Sequence, residues 1–274
     1  MKLSLGFSTC PNDTFIFDAM IHHKIDTEGL TFDVHMADVE ELNDLAFSKK
    51  LDITKLSYHA FCYLTSDYRL MKAGSALGRG NGPLLIAKKE KVDLSNGIVA
   101  IPGKYTTANL LLTVAYPEIK QKKEMLFSDI ENSLLEEKID AGTIIHENRF
   151  TYHQHGLHKI ADLGEMWESR SGHPIPLGGI VTRRDFSLEL QQKIDRVMAR
   201  SIQYAFDHPE EPMSFIQEHA QEMDGEVMKK HIELYVNHFT KNLGNEGVEA
   251  IKFLFKEAQR VGLIDNYASD FLIP

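Results

Sequence analysis

The 274 residues of this chain include 40 acidic and 30 basic side chains, which gives a formal net charge of −10 at pH 7. A chain of this length can form one large α/β domain or two smaller ones, and its 43% hydrophobic content is ordinary for a soluble globular protein. The acidic balance argues against a nucleic-acid partner, because a nucleic-acid-binding face is basic.

Local patterns argue against export and membrane insertion. Residues 1–7 enter an alternating strand pattern directly, without the basic segment and apolar run of a signal peptide. No run of about 18 apolar residues occurs in the sequence, so we expect no membrane span. Cys10 and Cys62 lie far apart and form no CxxC motif, which is typical of a reducing compartment. We therefore expect a cytoplasmic protein.

Strands and helices alternate through the first part of the chain. Apolar and polar residues alternate as in strands, and polar turns with capping residues precede the helices. This pattern is typical of βαβ units, in which backbone donors at a helix N-terminus face any bound anion. The predicted strands are residues 3–8, 31–36 and 51–59, the last of which runs into a helix at 58–65.

Lys55 and Ser57 lie at the junction between the third strand and the following helix. A cation and a hydroxyl at such a junction favour a docked carboxylate. A surface lysine beside a serine helix cap is the structural alternative.

The middle of the chain contains further buried strands and a glycine-rich segment. The strands are predicted at 83–87, 98–101 and 142–145, and the glycines of residues 74–82 predict a hinge or lid loop. Thr106 or Thr107 is the N-cap candidate of an apolar helix, whose free N–H groups suit an anion.

A burst of polar side chains, beginning with His146, follows the strand predicted at 142–145. In open α/β sheets, ligands bind beyond the carboxyl ends of the strands. Histidine exchanges a proton near neutral pH with little tuning. We interpret His146 as a candidate general base, with a histidine hydrogen-bonded for structural reasons as the alternative.

Two composition shifts divide the chain. A charged run at 88–91 and a proline- and glycine-rich stretch at 173–179 are candidate crossovers between two α/β lobes. They predict a larger lobe of residues 1–88 and 180–274, ending in helices, and a smaller lobe of residues 89–179. Ligand sites favour such interfaces. The turns expected to build the cleft are residues 9–14, 55–59, 78–82, 103–108 and 146–149.

The sequence does not match several common motifs for phosphate binding, nucleophilic catalysis or metal binding. Five residues separate Gly97 from Gly103 and Tyr105 follows Lys104, whereas a phosphate loop has four residues between its glycines and Ser or Thr after the lysine. The sequence has no GxSxG motif. The histidines at 153, 155 and 158 lack an HExxH motif or a cysteine partner, so a metal site is not expected.

Six segments occur in a fixed order along the chain. They are Phe7–Phe15, Thr54–Tyr58, Ala76–Gly80, Pro102–Thr107, Ile144–Tyr152 and Tyr235–Asn237. Together they resemble 1,4-dihydroxy-6-naphthoate synthase, a family of the futalosine route to menaquinone. The resemblance covers nearly the whole chain.

This resemblance implies an α/β fold like that of type 2 periplasmic binding proteins, with two lobes around a ligand cleft, used as a cytoplasmic lyase. The family converts cyclic dehypoxanthinyl futalosine, a small-molecule carboxylate, into 1,4-dihydroxy-6-naphthoate and releases a three-carbon sugar fragment. The resemblance implies that His146 is the proton acceptor and that Lys55, Leu56, Ser57, Thr107 and Ala108 bind substrate. It implies neither a metal nor an organic cofactor, and a homodimer is an open alternative to a monomer.

One position departs from the family pattern. The residue after Tyr58 is often small in the family, whereas here it is His59. A second imidazole near the site leaves open which histidine binds and which reacts.

Two other functions fit the same fold. A solute-binding protein would bind a carboxylate without chemistry, but it predicts an export signal or a lipid-attachment cysteine. A related menaquinone-route enzyme dehydrates chorismate. The segment 146–150 favours the naphthoate synthase.

Overall fold

The structure is a computed structural model that describes residues 1–145, 148–220 and 224–274. These residues form two β-sheets with helices packed against them. The first sheet has the strand order β2-β1-β3-β11-β4, with β5 paired to β11. Its strands are β1 (Lys2–Phe7), β2 (Thr31–Met36), β3 (Ile53–Ser57), β4 (Tyr68–Leu70), β5 (Ala76–Gly78) and β11 (Ile175–Arg183).

The second sheet has the order β10-β6-β9-β7-β8. Strand β9 pairs parallel to β7 and antiparallel to β6, so the sheet is mixed. Its strands are β6 (Leu84–Ala87), β7 (Ile98–Ile101), β8 (Gln121–Glu124), β9 (Ala141–Ile144) and β10 (His158–Asp162).

Helices connect the strands and fill the C-terminal third of the chain. In the described ranges they are α1 (Pro11–Ile21), α2 (Val39–Phe47), α3 (Tyr58–Leu64), α4 (Thr107–Ala115), α5 (Ile130–Leu135), α6 (Asn148–Thr151), α7 (Leu163–Ser171), α8 (Leu188–Asp207), α9 (Met213–His219), α10 (Gly225–Tyr235), α11 (His238–Lys241) and α12 (Gly244–Arg260). Short 3₁₀ turns lie at Phe127–Asp129 and Tyr152–His155. None of the helices described is both long enough and apolar enough to cross a bilayer.

The chain passes from the first sheet to the second through residues 79–83 and returns in β11. Strand β6 pairs in the second sheet, so the charged run after it at 88–91 marks a solvent-exposed turn within that sheet. Strand β11 spans the predicted limit at 179/180 and pairs in the first sheet. The lobe limits themselves stay a prediction.

One buried apolar cluster includes residues of both sheets. Leu56 of β3, Val99 of β7 and Leu110 of α4 belong to it, and each has 0% of its surface exposed. Burial of apolar side chains makes the main favourable contribution to the free energy of folding. The shared core fixes how the ends of the two sheets face each other.

Ser128 and Glu131 have the sequence spacing of a capping box, but this box does not form. The segment begins as a 3₁₀ turn, and α5 starts at Ile130 without a side-chain cap. The Glu131 carboxylate instead accepts from Asn148 Nδ2 at 2.7 Å and contacts His155 Nδ1. Tertiary partners thus compete successfully with the local motif and anchor the start of α6.

Candidate functional site

A cavity that opens to solvent lies between the two sheets and is lined by residues of both. Small-molecule sites are typically concave pockets of this kind. The lining residues are Ser8, Asn12, Asp13, Val39, Lys55, Ser57, Ala76, Asn81, Pro83, Thr106, Thr107, Ala108, Ile145, Leu177, Gly178 and Tyr235.

Four of the predicted substrate-binding residues, Lys55, Ser57, Thr107 and Ala108, line this cavity. Successive side chains of a strand point to opposite faces, so Lys55 and Ser57 share the cavity face of β3. Leu56 points the other way into the core, with 0% exposed. A ligand contact of Leu56 is therefore restricted to its main chain.

The Lys55 ammonium is paired with a carboxylate inside the cavity wall. Lys55 Nζ donates to Asp13 Oδ1, and the two side chains are only 7% and 1% exposed. Ser8 donates to Asp13 Oδ2 from Oγ at 2.7 Å and from its main-chain N–H at 3.1 Å. Asn12 Nδ2 donates to Asp13 Oδ1 at 2.8 Å. These donors converge on the Asp13 carboxylate, and the Lys55 cation beside it is positioned to meet an anionic ligand.

This network continues to the C-terminal helices through a buried histidine. Because Asn12 uses its amide nitrogen on Asp13, its Oδ1 accepts from His231 Nε2, 2.9 Å away. The contact assigns the proton of His231 to Nε2. His231 lies on α10 and is 0% exposed. His231 is not predicted from the sequence, because no motif near it in the chain indicates a contact with Asn12.

A second network joins the first sheet to the loop before α4. The Ser57 N–H donates to Asn43 Oδ1 at 3.1 Å, and Asn43 Nδ2 donates to Glu40 Oε2 at 2.9 Å. Glu40 Oε1 accepts from the Tyr105 N–H at 2.8 Å. Burial raises the pKa of Glu40 above its ordinary value. The network attaches the loop that carries Thr106 to α2 across the cavity rim.

The N-terminus of α4 contributes main-chain donors. Thr106 is its N-cap, as predicted, and its Oγ1 accepts from the Asn109 N–H at 3.3 Å. The first N–H groups of a helix have no partner within the helix, and the dipole there favours negative charge. Thr107 and Ala108 stand at these positions. The Thr107 hydroxyl donates to Leu177 O at 2.7 Å, which fixes its orientation.

His59 supports this helix start and does not line the cavity. Its Nδ1 donates to Thr106 O at 3.0 Å, and the side chain is nearly fully buried. Burial lowers the pKa of His59 from its ordinary 6.5 to about 4. The imidazole is therefore neutral at pH 7 and acts as a structural donor.

The depressed pKa of His59 predicts an acid-sensitive stability that a non-titrating variant lacks. Asparagine can place Nδ2 where Nδ1 donates, so His59→Asn keeps the hydrogen bond. In the unfolded state His59 binds a proton below about pH 6.5, whereas in the folded state it binds one only below about pH 4. The contribution of neutral His59 to the free energy of unfolding is therefore present above pH 6.5 and is lost as the pH falls toward 4.

Between pH 7.5 and pH 4.5, the wild type is expected to lose about 2 kcal/mol more unfolding free energy than His59→Asn. Urea unfolding at the two pH values measures this difference. Equal losses in the two proteins would show that His59 is not held neutral.

His146, the predicted base, lies outside the described residues. Its neighbour Ile145 follows β9 and lines the cavity. The carboxyl end of β9 therefore reaches the cavity, as expected for an α/β sheet.

The histidine group at 153, 155 and 158 does not gather ligands in the part of the chain that the structure describes. His155 is paired with Glu131, and no group of three or more metal-ligating side chains occurs among those residues.

Comparisons with known proteins agree with the geometry. A family model described as menaquinone biosynthesis matches residues 3–260. The 1,4-dihydroxy-6-naphthoate synthase of Thermus thermophilus is 42% identical over 261 residues, covering 95% of each chain. The enzyme of the same name from Streptomyces coelicolor is 40% identical over 275 residues, covering 98% of this chain and 97% of its own.

Solved structures establish the fold. A crystal structure of a protein from Archaeoglobus fulgidus superposes with a TM-score of 0.91 at 37% identity, covering 96% of this chain and 98% of that one. The periplasmic aliphatic sulphonate-binding protein of Escherichia coli superposes with a TM-score of 0.67 at 10% identity, covering 98% and 90%. The expected periplasmic-binding-protein-like fold is confirmed.

Proposed function

The chain belongs to the menaquinone biosynthesis family that contains the 1,4-dihydroxy-6-naphthoate synthases, and we propose that it converts cyclic dehypoxanthinyl futalosine to 1,4-dihydroxy-6-naphthoate. It acts as a carbon–carbon lyase, releases a three-carbon sugar fragment and works in the cytoplasm.

One observation carries the proposal. Two distant segments supply residues that are predicted to bind substrate, and Lys55, Ser57, Thr107 and Ala108 meet in one cavity. The same cavity is reached by Ile145, the residue before the predicted base.

The substrate carboxylate binds where the two sheets meet. Lys55 supplies charge, Ser57 a hydroxyl, and the first N–H groups of α4 a positive dipole end. The ion pair with Asp13 holds the Lys55 ammonium in place before the substrate arrives. Preorganised donors of this kind stabilise charge in a transition state without the cost of reorganising solvent.

His146 then removes a proton from the bound substrate. The electron pair released from that bond drives carbon–carbon cleavage, and formation of the aromatic ring makes the cleavage favourable. A positioned base of this kind contributes on the order of 10²–10⁴-fold to the rate. Closure of the two sheets over the substrate would exclude water from the reacting centre.

Incubation of the purified protein with cyclic dehypoxanthinyl futalosine tests the proposal. We expect a new naphthalenediol absorbance in the ultraviolet, with the product mass confirming 1,4-dihydroxy-6-naphthoate. A flat trace with a raised melting temperature would instead indicate a binding protein, since a ligand of the native state stabilises it. A flat trace without stabilisation would exclude this substrate, and chorismate would be tested next.

A further inference from the structure

Asn81 is a buried carboxamide in the cavity wall. It is 1% exposed and lines the cavity. Neither its Oδ1 nor its Nδ2 has a hydrogen-bond partner among the residues described. Burying an amide without partners costs free energy, and buried polar groups in native proteins are almost always satisfied.

The main chain around Asn81 is held firmly. The Gly80 N–H donates to Glu168 Oε1 at 2.7 Å, and Arg149 Nη1 donates to Gly82 O at 3.0 Å. Gly82 also lies so close to Gly164 that a Cβ on Gly82 would come within 2.4 Å of the Gly164 Cα. The Asn81 side chain is therefore presented to the cavity by a fixed loop, and its lack of partners does not come from a loose surface turn.

The neighbouring amide does not satisfy Asn81. Asn237 donates from Nδ2 to Leu77 O at 2.9 Å and accepts at Oδ1 from the Phe239 N–H at 2.9 Å. Gly78 leaves the space that the Asn81 amide occupies, since a Cβ there would come within 2.8 Å of Asn81 Nδ2. The local packing makes room for the amide without bonding to it.

The hydrogen-bonding chemistry of a carboxamide indicates which kind of ligand group can bind to Asn81. Nδ2 only donates and Oδ1 only accepts. A carboxylate would satisfy Nδ2 but would place its lone pairs against Oδ1. A hydroxyl group both donates and accepts, so one hydroxyl or a pair of hydroxyls satisfies the whole amide.

We propose that Asn81 is a substrate-contact residue that recognises the hydroxyl-bearing part of the ligand, while Lys55, Ser57 and α4 hold its carboxylate. This inference rests on the proposed function, because that substrate and its product carry both groups. Asn81 thereby sets the specificity of the cavity for hydroxylated carboxylates over plain aromatic carboxylates.

Two probe ligands that differ only in their hydroxyls test the inference. They are 1,4-dihydroxy-6-naphthoate, kept reduced, and naphthalene-2-carboxylate. Dissociation constants are measured by calorimetry for the wild type and for Asn81→Leu, which is close to asparagine in shape but cannot hydrogen bond. Asn96→Leu, on an exposed turn, is the matched control.

We expect the wild type to prefer the dihydroxy compound by about 10-fold or more, since each hydrogen bond contributes roughly 1 kcal/mol. Asn81→Leu should abolish most of this preference and leave the affinity for naphthalene-2-carboxylate unchanged or improved. Asn96→Leu should keep the preference. The inference is overturned if Asn81→Leu weakens the binding of both ligands equally, or if the preference for the dihydroxy compound is unchanged.

The melting temperature separates recognition from a structural role. Removing a buried amide that lacks partners should raise the melting temperature of unliganded Asn81→Leu by roughly 2–4 °C. A lower melting temperature would show that the amide supports the fold, and the inference would fail.

Turnover of cyclic dehypoxanthinyl futalosine by the wild type is measured in parallel. Turnover without an Asn81-dependent preference overturns only the role of Asn81. A preference that depends on Asn81 without turnover overturns the proposed function and supports the binding role.

Discussion

Replacing His146 with asparagine is expected to lower kcat for cyclic dehypoxanthinyl futalosine by roughly 10²–10⁴-fold while leaving the dissociation constant for the substrate nearly unchanged. The reason is that a general base acts on the transition state, whereas we propose that the substrate carboxylate is held by Lys55, Ser57 and the start of α4. Single-turnover kinetics combined with equilibrium binding separate the two effects.

The pH profile gives a second readout for His146. If its imidazole is the base, the acid limb of kcat/KM reports its pKa in the free enzyme, and this limb should be absent from the residual activity of His146→Asn. His35→Asn, on the exposed strand β2, is the matched control and should keep both rate and profile. Turnover near the wild-type rate in His146→Asn would remove this residue from the role of base.

Strand β3 illustrates what local pattern can establish. The sequence predicts a strand within residues 51–59, and the two-residue period of a strand places Lys55 and Ser57 on one face and Leu56 on the other. The grouping of Leu56 with the cavity residues came from the resemblance rather than from the strand period. In the structure the Leu56 side chain lies in the core, on the face of β3 that the strand period predicts.

Strand β8 shows where local pattern fails. Residues Gln121–Glu124 are all polar or charged, so nothing in their sequence alternates. The strand lies at the edge of the second sheet, next to β7 only. Edge strands commonly carry charges that discourage pairing with other chains, and the apolar pattern used to find strands is then absent.

Asn81, which lines the cavity, and His231, the buried partner of Asn12, could not be found from the sequence. His231 meets Asn12 across 219 positions, and such a contact is set by the packing of α1 against α10. Asn81 lies in a glycine-rich segment whose composition predicts a mobile loop. Its burial depends on contacts from Arg149 and Glu168, which no local pattern reveals.

The other large effect is expected at the buried pair of Lys55 and Asp13. Asp13→Asn is expected to lower the free energy of unfolding by about 3–5 kcal/mol, because it leaves the Lys55 ammonium buried without a charged partner. Although asparagine has nearly the same shape as aspartate, it does not preserve the hydrogen bonds of Asp13. Both carboxylate oxygens of Asp13 accept from donors, so the new amide nitrogen must face a donor in either orientation.

Lys55→Met should cost less than Asp13→Asn, because Ser8 and Asn12 still donate to the Asp13 carboxylate. The double variant should be more stable than the sum of the two losses predicts, since neither charge is then left unpaired. Urea unfolding of the four proteins completes the cycle. Asp33→Asn, which removes the exposed ion pair with Lys2, is the matched control and should change little.

The same variant separates stability from binding. With the carboxylate of Asp13 removed, the cavity gains one positive charge, so a carboxylate ligand becomes the best remaining partner of Lys55. Naphthalene-2-carboxylate should therefore stabilise Asp13→Asn more than it stabilises the wild type at the same concentration. Equal unfolding free energies for Asp13→Asn and wild type, or equal stabilisation by the ligand, would show that the ion pair between Lys55 and Asp13 does not stabilise the fold as proposed.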